Sequence, residues 1–234
     1  MEQLRGKQSL IIDRAALLAL TAGYRNIVID IGTGDGRFAR RLAHANPASF
    51  VIGLDLCREN LRAVSRTAPP NALFVIADGL ALPAELAGLA TQLTINFPWG
   101  SLLQGLLTTD TALTCGLRTL ARPSAVLDLR LNDSALAQAG WPLAAGGDLA
   151  GQTLRAAGFA AGPPRALDPA ALRACPTSWA RRLAHGNQGH ALHLRGTRLA
   201  FTYAFAALGP SPVTRARELE GEDCACVSIL NGIR

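Results

Sequence analysis

The first chemistry legible in the chain lies in Asp30-Ile31-Gly32-Thr33-Gly34-Asp35-Gly36. Gly32 and Gly34 let the backbone pass close to a ligand, and Gly36 allows tight packing of the helix that follows. A dinucleotide site uses G-x-G-x-x-G and turns a helix N-terminus toward pyrophosphate. Here the spacing is G-x-G-x-G, with carboxylates at Asp30 and Asp35. Those charges repel a pyrophosphate and suit a cationic, phosphate-free nucleoside: S-adenosylmethionine, with Asp30 accepting from its ammonium group. Asp55 closes the apolar run Phe50-Val51-Ile52-Gly53-Leu54, about twenty residues after the glycine loop, where a carboxylate takes both ribose hydroxyls. Ala77 and Asp78 close a third apolar run and are placed for the adenine edge. A glycine run alone marks a turn, and a single Asp at a strand end is usually a helix cap. Three such pieces in order, each closing an apolar run, point to one cofactor site.

A second group of residues suggests the substrate. A fourth apolar run ends in Asn96-Phe97-Pro98-Trp99-Gly100, at the position that faces the transferable methyl in a fold of this kind. A lone Trp there would be read as loop core. However, Thr177-Ser178-Trp179-Ala180-Arg181-Arg182 sets another Trp beside two arginines. An enzyme that modifies a base takes it out of the stack and holds it between flat groups, which Trp99 and Trp179 would supply. Trp141, between Gly140 and Pro142, reads as structural. The charge distribution agrees with a polyanionic partner. Lys7 is the only lysine among 23 basic residues, the net charge is +6 and the pI about 9.6. From Pro169 to Arg217 there is no acidic residue. Arg58, Arg62 and Arg66 recur at helical spacing, as a phosphate strip or an ordinary solvated face. His185, His190 and His193 lack ligand spacing, so no metal site is expected.

Positioning these residues requires a sheet. Asn26–Ile31 is a short β-branched run typical of a parallel strand buried on both faces. It is followed by a helix over about 35–45, a strand over 50–54, a helix over 58–67 and strands over 72–77 and 91–97. A helical stretch including 113–120 and a strand over 124–129 come next. Residues 4–12 read as extended, with Asp13 capping a helix through Gly23. Residues 139–147 read as a loop, 148–157 and 179–184 as helices and 191–195 as a last strand; 209–234 have no assigned place. Alternating strands and helices predict an α/β fold with a doubly wound, mostly parallel, seven-stranded Rossmann-like sheet. Its ligand should sit beyond the carboxyl ends of the strands. With 234 residues, 49% apolar and 17% charged, one domain over 1–196 and an extension over 197–234 are expected. The five cysteines form no CxxC pair, and no secretory start or apolar span is evident, which favours a reducing cytoplasm.

With Asp30–Gly36, Phe97–Gly100 and Ser178–Ala184 in hand, the chain resembles the kanamycin–apramycin aminoglycoside-resistance methyltransferases, which methylate N1 of adenine 1408 in 16S rRNA. The resemblance runs from about Lys7 to Gly196. It implies a class I methyltransferase fold, S-adenosylmethionine as cofactor and the assembled 30S subunit as partner, with the protein acting as a monomer away from membranes. It also implies that Trp99 and Trp179 hold the flipped adenine and that Thr177 or Ser178 positions the cofactor or base. The basic residue within the Trp-Ala-Arg-Arg run would contact rRNA, which implies Arg182; Arg181 beside it and Arg66 of the helically spaced strip are the other candidate RNA-binding residues. The chain departs from the family in two places. Basic residues just after Leu183-Ala184 are replaced by His185-Gly186-Asn187-Gln188-Gly189, and the connection Thr67–Asn71 carries no lysine. The competing readings are tRNA guanine-N7 methylation, exocyclic-amine methylation suggested by the Asn96–Trp99 run, small-molecule methylation and a non-catalytic RNA-binding relative.

Overall fold

The structure, a computed structural model, describes residues 1–175, 177, 180 and 190–200. Residues 1–199 form one compact unit. Its strands are β1 (Glu2–Arg5), β2 (Gln8–Ile11), β3 (Asn26–Ile31), β4 (Ser49–Asp55), β5 (Ala72–Ile76), β6 (Ala90–Asn96), β7 (Ala121–Asn132), β8 (Phe159–Ala161), β9 (Arg165–Ala166) and β10 (Ala191–Arg198). The helices are α1 (Arg14–Thr21), α2 (Arg37–Ala45), α3 (Arg58–Arg66), α4 (Gly100–Thr108), α5 (Thr111–Leu120), α6 (Asp133–Gln138), α7 (Leu143–Ala156) and α8 (Pro169–Ala174).

The strands make one sheet in the order β2-β1-β5-β4-β3-β6-β7-β10-β8, with β9 on β10. The central five, β5-β4-β3-β6-β7, are parallel. The chain leaves β3 toward β4 and β5, then returns to lay β6 on the other side of β3. That reversal opens a crevice at the carboxyl ends of β3 and β6. Side-chain alternation divides the core between the two faces. Ile27, Ile29, Ile31, Ile52, Leu93 and Leu127 pack on one side with Leu17 of α1, Leu106 of α4, Leu117 of α5 and Leu154 of α7. Val28, Val51 and Phe74 pack on the other with Ala39 and Ala43 of α2 and Leu61 and Val64 of α3.

The doubly wound α/β class is the one the sequence predicts, but the sheet has ten strands among the described residues rather than seven. The additional strands are short edge pieces, and β1, β2, β8, β9 and β10 all pair antiparallel. Every residue of β2 is exposed, so this strand carries no apolar alternation for a sequence pattern to register. The expected loop over 139–147 instead contains the start of α7 at Leu143. Its glycines serve close packing: a Cβ on Gly146 would lie 2.4 Å from Leu136 Cδ2, and one on Gly147 would lie 2.6 Å from Leu192 Cδ1. The single helical stretch expected before β7 is two helices. Thr109, left-handed at φ 54°, ends α4, and the Asp110 carboxylate accepts from Leu113 N (2.9 Å) to start α5.

Gly36 fixes where α2 begins, two residues later than expected. It is left-handed (φ 65°), and a Cβ there would come within 2.6 Å of Val64 Cγ1 and 2.7 Å of Phe74 Cε1. Left-handed strain and overpacking of α3 and β5 therefore act together. We predict that Gly36→Ala lowers unfolding stability by about 3 kcal/mol. Urea denaturation checks this, and a loss below about 1 kcal/mol would contradict it.

Candidate active site

A cavity of about 480 Å³ opens at the carboxyl ends of β3, β4, β5 and β6. Its lining includes Asp30, Gly32, Thr33, Gly34, Asp35, Asp55, Ala77, Asp78, Asn96, Trp99 and Thr177. Ten of these are the whole predicted cofactor set, and Trp99 is one of the two predicted stacking residues. The parallel sheet brings them together because each except Thr177, which follows α8, closes a strand or lies in the connection just after it.

Asp30 is the electrostatic centre of the cavity. Its carboxylate is 1% exposed and has three side-chain donors: Thr33 Oγ1 at 2.5 Å to Oδ2, Thr94 Oγ1 at 2.6 Å and Asn96 Nδ2 at 3.0 Å, both to Oδ1. Burial pushes its pKa up to about 6, against the pull of those hydrogen bonds and of the Arg130 charge. Asp55 is more open. Its Oδ2 accepts from Gly34 N (2.7 Å) and its Oδ1 from Cys57 N (2.9 Å), which tie the glycine loop to the second strand. Each carboxylate oxygen keeps a further lone pair for a ligand hydroxyl. Asp78 Oδ1 accepts from Leu80 N (3.0 Å), and exposed Asp35 accepts from Arg37 N at the rim. This donor set fits a cationic nucleoside: a buried carboxylate for an ammonium, an open one for a ribose, and Gly34 with no heavy atom within 4 Å of its would-be Cβ.

The substrate side is built on an unusual backbone. Phe97 is left-handed at φ 52°, which costs a non-glycine residue about 1–2 kcal/mol. It is held there by a hydrogen bond from its N to Arg130 O (2.8 Å) and by burial among Leu172, Cys175, Ala180 and Ala191. The turn sets Trp99 at the N-cap position of α4, half-buried against the core and lining the cavity. Thr177 is buried, and its hydroxyl accepts from Ala180 N (2.9 Å), so it acts first as a backbone cap at the cavity wall.

Other expectations fare differently. Trp179, Ser178, Arg181 and Arg182 lie outside the described residues. Arg66 is exposed at the end of α3 away from the cavity. Arg58 is engaged by Glu2 and Ser9, and Arg62 by Glu59 at 3.5 Å, so the 58–66 strip is partly a set of structural pairs. Trp141, read as structural, is 41% exposed. His193 pairs with Asp128 at 2.8 Å. Phe38, Leu56, Asn60, Ser101 and Leu102 line the cavity without having been foreseen. Leu56 carries the one usable signal, an apolar residue in the capping segment just after Asp55. No helix among the described residues is long and apolar enough to cross a membrane.

Comparison with known proteins resolves the family. The NpmA family model, described as 16S rRNA (adenine(1408)-N(1))-methyltransferase, matches residues 2–198. The chain belongs to this family. A relative from Streptoalloteichus tenebrarius bearing the same description is 30% identical over 199 residues, which are 78% of this chain and 92% of that one. The antibiotic-resistance methyltransferase Kmr superposes with a TM-score of 0.71 at 38% identity, covering 86% of this chain and 99% of Kmr. A 16S rRNA (adenine(1408)-N(1))-methyltransferase mutant with cosubstrate SAM from Catenulisporales acidiphilia gives a TM-score of 0.74 at 26% identity, covering 86% and 98%. The ten-stranded sheet is therefore a class I methyltransferase sheet with antiparallel edges, and the non-catalytic reading has no support.

The raised pKa of Asp30 has a consequence for stability. The folded carboxyl takes up a proton near pH 6, whereas the unfolded one does so near 3.8, so the folded state binds more protons between these values. We predict that wild type gains stability relative to Asp30→Asn as pH falls from 7 to 5. Parallel pH profiles of the two melting temperatures would contradict this.

Proposed function

We propose that this chain methylates N1 of adenine 1408 in 16S rRNA of the 30S subunit, using S-adenosylmethionine and acting as a cytoplasmic monomer, with aminoglycoside resistance as the result. The observation that carries the reading is one cavity lined by Asp30 and Asp55 at one end of its chemistry and by Trp99 at the other. When bound, S-adenosylmethionine supplies a methyl group made electrophilic by its sulfonium. Asp30 receives the ammonium, Asp55 the ribose hydroxyls, and Ala77 and Asp78 the adenine edge. Gly32, Thr33, Gly34 and Asp35 shape the loop beneath, and Asn96 and Thr177 complete the wall.

Trp99 offers one face of a clamp for the flipped target adenine. The other face is assigned to Trp179, and phosphate contacts to Arg66, Arg181 and Arg182. Adenine N1 already presents an in-plane lone pair, so the chain needs no general base and contributes chiefly by positioning and a preorganised pocket. The five-donor guanidinium suits the phosphates of a folded RNA better than an ammonium does.

Primer extension on 30S subunits incubated with enzyme and cofactor tests the assignment, because an N1 methyl blocks the Watson–Crick edge. The expected result is a stop at adenine 1408 with wild type. With Trp99→Ala the rate of methylation falls by about a hundredfold, while S-adenosylmethionine affinity changes by less than about threefold. Read-through at that base with wild type would reject the target. An equal loss of cofactor affinity in Trp99→Ala would reject the stacking role.

A further inference from the structure

The side of β6, β7 and β10 carrying Thr94, Asn96, Asp128, Arg130, His193 and Arg195 is polar, whereas the opposite side of these strands carries Leu93, Ile95, Leu127, Leu129, Leu192 and Leu194 in the core. Strand register lines these residues up. Asp30, Thr94, Asp128 and Arg195 occupy one row across β3, β6, β7 and β10, and Asn96, Arg130 and His193 occupy the next. Within the second row, Arg130 Nη1 donates to Asn96 Oδ1 at 2.8 Å, while Asn96 Nδ2 donates to Asp30 Oδ1 at 3.0 Å. An amide whose oxygen is held by a guanidinium has one orientation available, with its nitrogen turned to the carboxylate.

Arg130 stands between two carboxylates, and its allegiance follows from what the other one already has. Asp128 receives His193 Nε2 at 2.8 Å, Gln92 Nε2 at 3.1 Å and Arg195 Nη1 at 3.5 Å. Asp30 has hydroxyl and amide donors and, among the described residues, no cation in contact. The backbone oxygen of Arg130 also accepts from Phe97 N, so the same residue pins the turn that leads to Trp99.

We propose that Arg130 is a positioning residue for the transfer reaction: it fixes Asn96 against Asp30 and supplies the positive charge that balances this buried carboxylate until the cofactor's ammonium arrives. The proposal rests on the S-adenosylmethionine reading given above. The charged groups around Asp30 are Asp35, Asp55 and Asp78 at the cavity, Arg130 and Asp128 on β7, and His193 and Arg195 on β10; β4 contributes only Gly53 beside it. With three further carboxylates at the cavity and His193 and Arg195 engaged with Asp128, Arg130 is, among the described residues, the cation joined to Asp30 through a single side chain, Asn96. Ionised Asp30 binds the ammonium, so removal of the Arg130 charge weakens cofactor binding most at low pH.

Isothermal titration of S-adenosylmethionine into wild type, R130M, R130Q and R130K between pH 5.5 and 8 tests this. An opposite charge near a buried carboxylate shifts it by about one unit. R130M and R130Q then lose about eightfold in affinity, relative to wild type, between pH 8 and pH 5.5, and R130K tracks wild type. R130Q keeps a donor for Asn96 and R130K keeps the charge, so this pair decides the matter even if R130M does not fold. Curves for R130Q and wild type that stay parallel across the range overturn the Arg130 assignment while leaving the cofactor reading intact. Absence of binding by folded wild type at every pH overturns the cofactor reading itself.

Discussion

The Asp30 carboxylate is buried near the carboxyl end of β3, at the reversal of strand order, and much of the site's architecture keeps it there. An isolated ionised carboxylate in an apolar interior is strongly disfavoured unless hydrogen bonds and charge compensate. Asp30 meets that constraint with donors from its own loop (Thr33) and from the neighbouring strand (Thr94 and Asn96), with Arg130 one strand further on. The compensation is incomplete, as the upward shift of its pKa shows. Arg130 acts on Asp30 only through Asn96 and across a strand, and a cationic ligand in direct contact is what the site is suited to receive.

The same strands line both the Asp30 end and the Trp99 end of the cavity. The reversal of strand order at β3 opens the crevice, and β6 lines it with Asn96 and then turns sharply at Phe97 to present Trp99. Phe97 holds its strained conformation because its ring is buried beneath α8 and Ala180. That cluster also anchors Thr177, so the late segment of the chain and the turn after β6 share one small core. A change in either is felt by the other through packing, without contact with ligand.

That Asp30, Asp55, Asp78 and Asn96 would line one cavity was legible in the sequence because each closes or directly follows a short apolar run, and a parallel sheet places the ends of such runs side by side; Thr177 entered only through the family resemblance. Asp30, Asp55 and Asp78 needed only strand order to meet. Phe38, Asn60 and Leu102 were not legible, since they reach the cavity from the first turns of helices whose exact start depends on backbone geometry at Gly36, Cys57 and Gly100. The polar face around Arg130 escaped notice for another reason. In the run Leu127-Asp128-Leu129-Arg130-Leu131, the alternation reads as an ordinary strand with one wet side, and only register shows that the wet side leads back to Asp30. β8 and β9 were invisible because a triplet and a pair of residues carry too little pattern.

The central claim is that the buried Asp30 carboxylate receives the cofactor's positive charge. Carbon-13 NMR titration of its side-chain carboxyl, with and without saturating S-adenosylmethionine, tests this directly. The account predicts a midpoint near pH 6 for the free protein, lowered by about one unit or more in the complex. The same midpoint in both states would contradict it.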